Sequence, residues 1–245
     1  MNINGKTILI TGANRGIGQA LVEEALRRDA KRVYAGTRIP LAHVDTRVTP
    51  LTLDVTNTTQ IQEAVEKTES LDVLINNAGV ALYDDLRDRS VLERHLAVNL
   101  FGPYEVIQAV LPLLVRSHGA IVNHLSLNAF APFPLIPAYS ISKAAAFSLT
   151  QSLRALLAGR GVTVHAVLTG PVDTDMARDF DVPKASPESV ARAVYDGLEN
   201  DEEDIFPDPW SQSMAEGWRN SAAKAFERQL AAFAEAHKQT AHAQR

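Results

Sequence analysis

The chain has no cysteine among its 245 residues. Disulfide staples, thiolate nucleophiles and cysteine-based metal sites are thereby excluded. Metal-binding histidine pairs are missing too. The seven histidines are scattered, with no H-E-x-x-H or H-x-x-E-H arrangement, so no metal is expected. Positive charge is not in excess: 24 basic and 29 acidic residues give a net charge of −5, which offers no general attraction for nucleic acid or an anionic membrane. There is no uninterrupted apolar run of roughly 18 residues, and the apolar stretch near the N-terminus is too short for a signal sequence or a bilayer span. These absences imply a soluble, cytoplasmic protein with neither nucleic acid nor membrane as a partner.

What is present is ordinary globular material. Hydrophobic residues make up 46% and charged residues 22%, which argues against disorder over most of the chain. Apolar runs at 6–11, 31–36, 48–53, 71–76, 120–125, 162–167 and 203–207 read as strands. Most are nearly continuous in apolar character, as parallel strands covered on both faces are. Helical patterns occupy 16–28, 57–68, 88–115, 138–158 and 186–199, the last opened by Ser186 as N-cap and Pro187 at the first helical position. Residues 208–236 form a final helical region. The alternation predicts an α/β fold: a single doubly wound parallel sheet of about seven strands, with helices on both faces and right-handed crossovers. No repeat or low-complexity linker divides the chain. Residues 1–236 are expected to form one domain, followed by a frayed tail at 237–245.

The first strand runs directly into TGANRGIG, residues 11–18. Gly12, Gly16 and Gly18 let the backbone approach a ligand closely, and the following helix presents its N-terminus to an anion. The spacing is not the literal G-x-G-x-x-G, and the alternative is an ordinary strand–helix turn. The second strand ends at Thr37 and Arg38, with no carboxylate. An acidic residue there would favour NAD, whereas an arginine suits the 2′-phosphate of NADP. Arg15 in the glycine loop adds a second cation to such a phosphate site. NADP(H) is therefore expected in preference to NAD(H).

Seven motifs in order make the chain resemble the short-chain dehydrogenase/reductase family, in its single-domain branch. TGANRGIG resembles T-G-x-x-x-G-x-G. LDVT (53–56), NNAG (76–79), HLAVNLFG (95–102), AIVNHLS (120–126) and YSISK (139–143) follow, and TGPVDTDM (169–176) resembles P-G-x-V-x-T. The likeness extends from about residue 5 to residue 207. It implies a Rossmann-type fold and hydride transfer between a nicotinamide cofactor and a carbonyl carbon. Cofactor contacts would fall on Gly12, Asn14, Arg15, Gly16, Ile17 and Gly18, on Thr37 and Arg38, and on Asp54 and Val55 at the adenine. Asn76, Ala78 and Gly79 follow, then Tyr139 and Lys143, then Gly170, Val172 and Thr174 at the nicotinamide. Three departures are visible: Thr169 precedes Gly170 where proline is usual, Leu125 precedes Ser126 where a serine pair is common, and the loop at 39–47 is short. None removes a reacting group.

The catalytic set implied by the resemblance is Asn99, Ser126, Tyr139 and Lys143. Tyr139 and Lys143 stand at i and i+4, on one face of a helix starting near Pro137. A free phenol, with a pKa of about 10, is a poor base at neutrality. The Lys143 ammonium and an oxidised nicotinamide are expected to bring that value down, making Tyr139 a general acid in reduction and a base in oxidation. A bare Y-x-x-x-K would otherwise be a structural tyrosine and a solvated lysine. Ser126 ends the fifth strand, where ligand crevices lie, and its hydroxyl can donate to a developing oxyanion. The resemblance further implies that Lys143 holds the nicotinamide ribose hydroxyls and that Asn99 keeps a water linked to Lys143. Thr174 would bond the carboxamide, and Asp54 the adenine amino group. His124 reads as a core histidine.

Leu127, Phe130, Phe133, Leu135, Met176 and Phe180, with Ala129, Pro134 and Tyr83, are expected to wall the substrate pocket. They are mostly apolar, which favours a small apolar ketone, aldehyde or secondary alcohol. The segment 175–185 is charged and lacks apolar period, as a lid would. Apolar residues of the later helices suggest a homodimer or homotetramer. A cofactor sensor on the same fold would be expected to lack Ser126, Tyr139 or Lys143. Dehydratase, epimerase or isomerase relatives usually carry a separate substrate domain. A purely structural protein leaves the ordered reaction residues unexplained.

Overall fold

Strand β1 (Thr7–Thr11) is buried along its whole length, and the sheet is built outward from it. The structure is a computed structural model. It describes residues 1–39 and 41–243, with side chains from residue 237 onward outside the description. Of the expected frayed tail, 237–245, the backbone as far as residue 243 belongs to the last helix, and 244–245 lie outside the described residues.

Each apolar run becomes a strand: β2 (Arg32–Thr37), β3 (Val48–Thr52), β4 (Val73–Asn76), β5 (Ala120–His124), β6 (Thr163–Val167) and β7 (Asp204–Ile205). The sheet order is β3-β2-β1-β4-β5-β6-β7, and neighbours are parallel throughout. The winding reverses between β1 and β4, which opens a crevice outside the carboxyl ends of the strands. Successive side chains point to opposite faces. Ile8, Ile10, Val33, Ile75 and Val122 meet helices α1 (Gly16–Arg27) and α6 (Pro187–Glu199). Leu9, Leu74, Ile121 and Val164 meet α2 (Thr58–Glu66), α4 (Gly102–Ser117) and α5 (Pro137–Leu157). Each fully buried aliphatic side chain contributes about 2 kcal/mol of apolar transfer.

Two expected helices are divided. The run at 88–115 becomes α3 (Arg89–Leu96), a π-helical turn (Ala97–Phe101) and α4. Pro103 explains the change: it lacks the N–H that would close an α-helical bond on the Asn99 carbonyl, so the register widens there. The combined stretch Arg89–Ser117 is long and apolar enough by composition to cross a bilayer. Here its apolar residues Val106, Ile107, Val110 and Leu114 are buried against the sheet. The region 208–236 divides at Asn220 into α7 (Pro209–Arg219) and α8 (Ala222–Ala243). Asp208 caps α7 by accepting from Ser211 N at 3.0 Å, and Ser211 Oγ accepts from Asp208 N at 3.1 Å.

An ion cluster fastens α8 to the sheet edge. Lys224, only 2% exposed, lies 2.7 Å from Asp204, 2.9 Å from Glu203 and 3.1 Å from Glu227. Arg154 of α5 pairs with Asp204 at 2.8 Å and also with Glu227. Trp218 Nε1 donates to Asp204 at 2.8 Å. These partners hold the Asp204 carboxyl below its ordinary pKa despite burial, which alone would raise it. Taking one charge from such a cluster leaves another buried and under-compensated. Lys224→Met should therefore lower the unfolding free energy by about 3 kcal/mol in urea titration, with little change in the slope.

Candidate active site

The glycine loop is held open from beneath. Thr11 Oγ1 accepts from Asn77 N and Ala78 N, both at 3.0 Å, while Asn77 Nδ2 donates to Thr11 O at 3.1 Å and Gly12 O at 3.2 Å. The loop is thereby bolted to the end of β4. Gly12 and Gly16 have φ of 67° and 52°, which disfavours any side chain. A Cβ at Gly18 would stand 2.0 Å from Gly12 O. Helix α1 starts without a side-chain acceptor for its free N–H groups and has no acid in its first turn. That combination suits a phosphate group. The residues present thus fit a dinucleotide cofactor.

The ladder between β5 and β6 continues past the strands, since Leu125 N donates to Val167 O at 2.7 Å and Leu127 N to Thr169 O at 3.0 Å. It brings Ser126 beside Thr169 and Gly170. Helix α5, started by Pro137, presents Tyr139 and Lys143 to the same place. The Tyr139 hydroxyl is near enough to that of Ser126 for the serine to pull its pKa down, and both border the cleft. Lys143 Nζ donates to His124 O at 2.8 Å and lies 5.6 Å from the Tyr139 ring centroid. The His95 ring meets the edge of Tyr139 at 6.3 Å.

Tyr139 and Lys143 are 8% and 6% exposed, and burial governs both. It pushes the Tyr139 phenol up to about 12, with the Ser126 bond pulling weakly the other way. It brings Lys143 down to about 8. In the cofactor-free protein the shift is therefore upward, because removing a phenolate from water outweighs the neighbouring groups, while the expected lowering also counts an oxidised nicotinamide.

A cleft of about 970 Å³ unites most of the expected residues. Gly12, Asn14, Arg15, Gly16, Ile17 and Gly18 form one end, with Thr37, Arg38, Asp54 and Val55. Ala78, Gly79, Ser126, Tyr139, Lys143, Gly170, Val172 and Thr174 continue it. Some arrangements differ from expectation. Arg15 pairs with Asp175 at 3.0 Å, an exposed contact between the glycine loop and the 175–185 segment. The Thr37 hydroxyl donates to Ile39 O, and Thr174 Oγ1 donates to Val172 O at 3.3 Å. Asp54 accepts from the Thr56 amide and hydroxyl, which lowers its pKa together with Arg38 although burial opposes this.

Asn76 and Asn99 lie behind the cleft, bordering a second cavity of about 10 Å³ with Lys143. Asn76 is the last residue of β4, and the pleat turns it inward, where Nδ2 donates to Asn123 Oδ1 at 2.9 Å. Asn99 sits in the π turn. Its Oδ1 accepts from Val80 N at 2.9 Å, and its Nδ2 donates to Val80 O and Ser142 Oγ at the same distance.

Of the expected pocket residues, Leu127, Phe133, Met176 and Phe180 line the cleft. Phe130 does not: its ring stacks on Trp218 at 4.5 Å and meets Phe147 edge-on at 5.4 Å. Leu135 is exposed and, like Ala129 and Pro134, stands outside the lining. Tyr83 touches the pocket only through Phe180, at 6.0 Å. Sequence reasoning missed Arg94, Trp210 and Met214, which also line the cleft. Nothing local marks them, because distant elements bring them there. His124 is buried but forms part of the cleft floor. Its Nε2 lies 3.3 Å from Thr169 Oγ1, which itself donates to Leu125 O at 3.2 Å. This pattern assigns the ring proton to Nε2. Burial, reinforced by Lys143, pushes the imidazole down to about 3.

The short chain dehydrogenase family model matches residues 6–184. The chain belongs to the short-chain dehydrogenase/reductase family. An uncharacterized oxidoreductase of Staphylococcus saprophyticus is 34% identical over 218 residues, covering 81% of this chain and 93% of the relative. A sorbitol dehydrogenase of Cereibacter sphaeroides is 32% identical over 207 residues, covering 78% and 80%. A short-chain dehydrogenase from Burkholderia cenocepacia, solved in complex with NADP, is 35% identical with a TM-score of 0.86, covering 94% of this chain and 99% of its own. This dehydrogenase/reductase is accordingly an NAD(P)-dependent oxidoreductase.

The position of Lys143 predicts a pH profile. Its ammonium is present below about pH 8 and is lost as pH rises through that value. The kcat/KM of the free enzyme, measured across pH, should fall on the alkaline side near there. Lys143→Arg keeps its charge at every accessible pH. That variant should lose this limb even if its activity is lower throughout.

Proposed function

We propose that the enzyme interconverts a small apolar ketone or aldehyde and the corresponding alcohol with NADP(H), using Tyr139 as general acid and base. The observation that carries this reading is the convergence of Ser126, Tyr139 and Lys143 in the cleft that begins at the glycine loop. The cofactor, when bound, supplies or accepts the hydride. Ser126 donates to the substrate oxygen. Tyr139 passes its proton to that oxygen as negative charge develops, and the Lys143 ammonium stabilises the phenolate left behind. The phenol raised to about 12 rests as a neutral acid, which suits reduction.

Asn99 acts as a positioning residue. It fixes the Val80 backbone and so holds Gly79, where a Cβ would lie 3.8 Å from Lys143 Nζ. Pro103 removes the α-helical donor to the Asn99 carbonyl, and we take that oxygen as the acceptor for a water linked to Lys143.

Three observations support NADP(H) over NAD(H). Arg38 borders the cleft at the end of β2, no carboxylate follows Thr37, and the Burkholderia relative was solved with NADP. Arg15 is the weaker contributor, because it already pairs with Asp175. We further propose a cytoplasmic homodimer or homotetramer, supported by half-exposed apolar residues such as Ile141 and Leu156 on α5.

The decisive experiment is NADPH oxidation with a panel of carbonyl compounds. Tyr139→Phe should lower kcat by a factor on the order of 10²–10⁴ with little change in KM. Equal rates for variant and wild type would remove the proposed role. Separately, Arg38→Ala should weaken NADPH binding by roughly tenfold to a hundredfold in calorimetric titration while changing NADH affinity by less than about twofold.

A further inference from the structure

Helix α7 contributes a wall that the residues around Tyr139 do not reveal. Trp210 and Met214 stand at i and i+4, share one helix face, and line the cleft with Met176 of the 175–185 segment. Trp210 is 49% and Met214 40% exposed. The chain has three methionines and two tryptophans. Both methionines after Met1 and one tryptophan therefore stand on this wall. The other tryptophan, Trp218, is packed on Phe130.

The wall is fixed relative to the reaction centre. Asp208, buried at the start of α7, accepts from Gly170 N at 2.8 Å while also capping the helix through Ser211. A Cβ at Gly170 would lie 2.7 Å from both Asp208 Oδ1 and Trp210 Cβ. The indole is thus set directly against the loop carrying Gly170, Val172 and Thr174. Among the described residues of this wall, the carboxylate is Asp175, and it is engaged by Arg15 and Arg178. Half-exposed indole and thioether surfaces gain most by covering a flat apolar ring, because aromatic faces stack and sulfur adapts to a ring edge.

We propose that Trp210 and Met214, with Met176, form the substrate-selecting wall, and that it takes a flat, uncharged aromatic ring attached to the reacting carbonyl. This rests on the reading that a carbonyl reacts at Tyr139. The chemistry requires only that the ring and the carbonyl belong to one molecule, so that the wall orients the carbonyl oxygen toward Ser126 and Tyr139.

The test is calorimetric titration of the full-length, NADP⁺-loaded protein with acetophenone and with 2-butanone, a pair that cannot react in this redox state. Acetophenone should bind wild type roughly tenfold more tightly than 2-butanone. Trp210→Ala should erase that preference by weakening acetophenone roughly tenfold while changing 2-butanone less than about twofold. Trp210→Phe should keep most of the preference. NADP⁺ affinity and sedimentation should stay unchanged, which guards against a fold or assembly defect. Failure of acetophenone to bind wild type, equal losses for both ketones, no loss for either, or a changed assembly state with unchanged ketone affinity would each overturn the proposal. Failure of the carbonyl reading itself would appear elsewhere, as undiminished turnover in Tyr139→Phe, a measurement that does not involve Trp210.

Discussion

The bond from the Lys143 ammonium to the carbonyl of His124 joins α5 to the end of β5, with both residues buried at the cleft floor. The site depends on it. Apolar packing of Leu153 and Leu157 seats α5 on the sheet, and this bond fixes the lysine's end beside the strand that leads to Ser126. It is also a costly arrangement. An ammonium taken from water favours its neutral form, and among the described residues one backbone carbonyl, that of His124, accepts from it. The result is a lysine poised near neutrality beside a tyrosine that resists ionisation. Its neighbours carry no competing charge: His124 is neutral, and Asn99 and Ser142 bond to each other.

Support for this arrangement comes from far along the chain. Phe130 follows the Ser126 turn closely, and its ring rests on Trp218 and Phe147. Trp218 is anchored on Asp204, which the Arg154 and Lys224 cluster holds ionised. Asp208 fastens the Gly170 loop to α7. The final helices therefore brace the reaction centre from two directions, one through the catalytic serine's turn and one through the nicotinamide-side loop.

Much of this was legible in the sequence, for physical reasons. Parallel strands covered on both faces leave continuous apolar runs, so even the two-residue β7 was visible. The glycine loop, Ser126, Tyr139 and Lys143 were legible because each lies in a compact local motif. What escaped was non-local. Phe130 and Phe133 are both apolar residues in one loop, and nothing in their spacing says which faces the core. Asn76 and Asn77 are adjacent, and only the pleat decides which of them reaches the glycine loop. Pro103 was a visible sign of the π turn, but the apolar pattern on either side continued through it. The expected lowering of Tyr139 counts an oxidised nicotinamide beside Lys143, whereas in the cofactor-free protein burial raises the phenol.

The central claim is that burial outweighs the field of Lys143, leaving Tyr139 a neutral acid in the free enzyme. Ultraviolet difference titration of tyrosinate, wild type against Tyr139→Phe and without cofactor, tests it most directly. The account predicts no ionisation attributable to Tyr139 until pH has passed the ordinary tyrosine value of about 10. A step well below that value, present in wild type and missing from the variant, would contradict it.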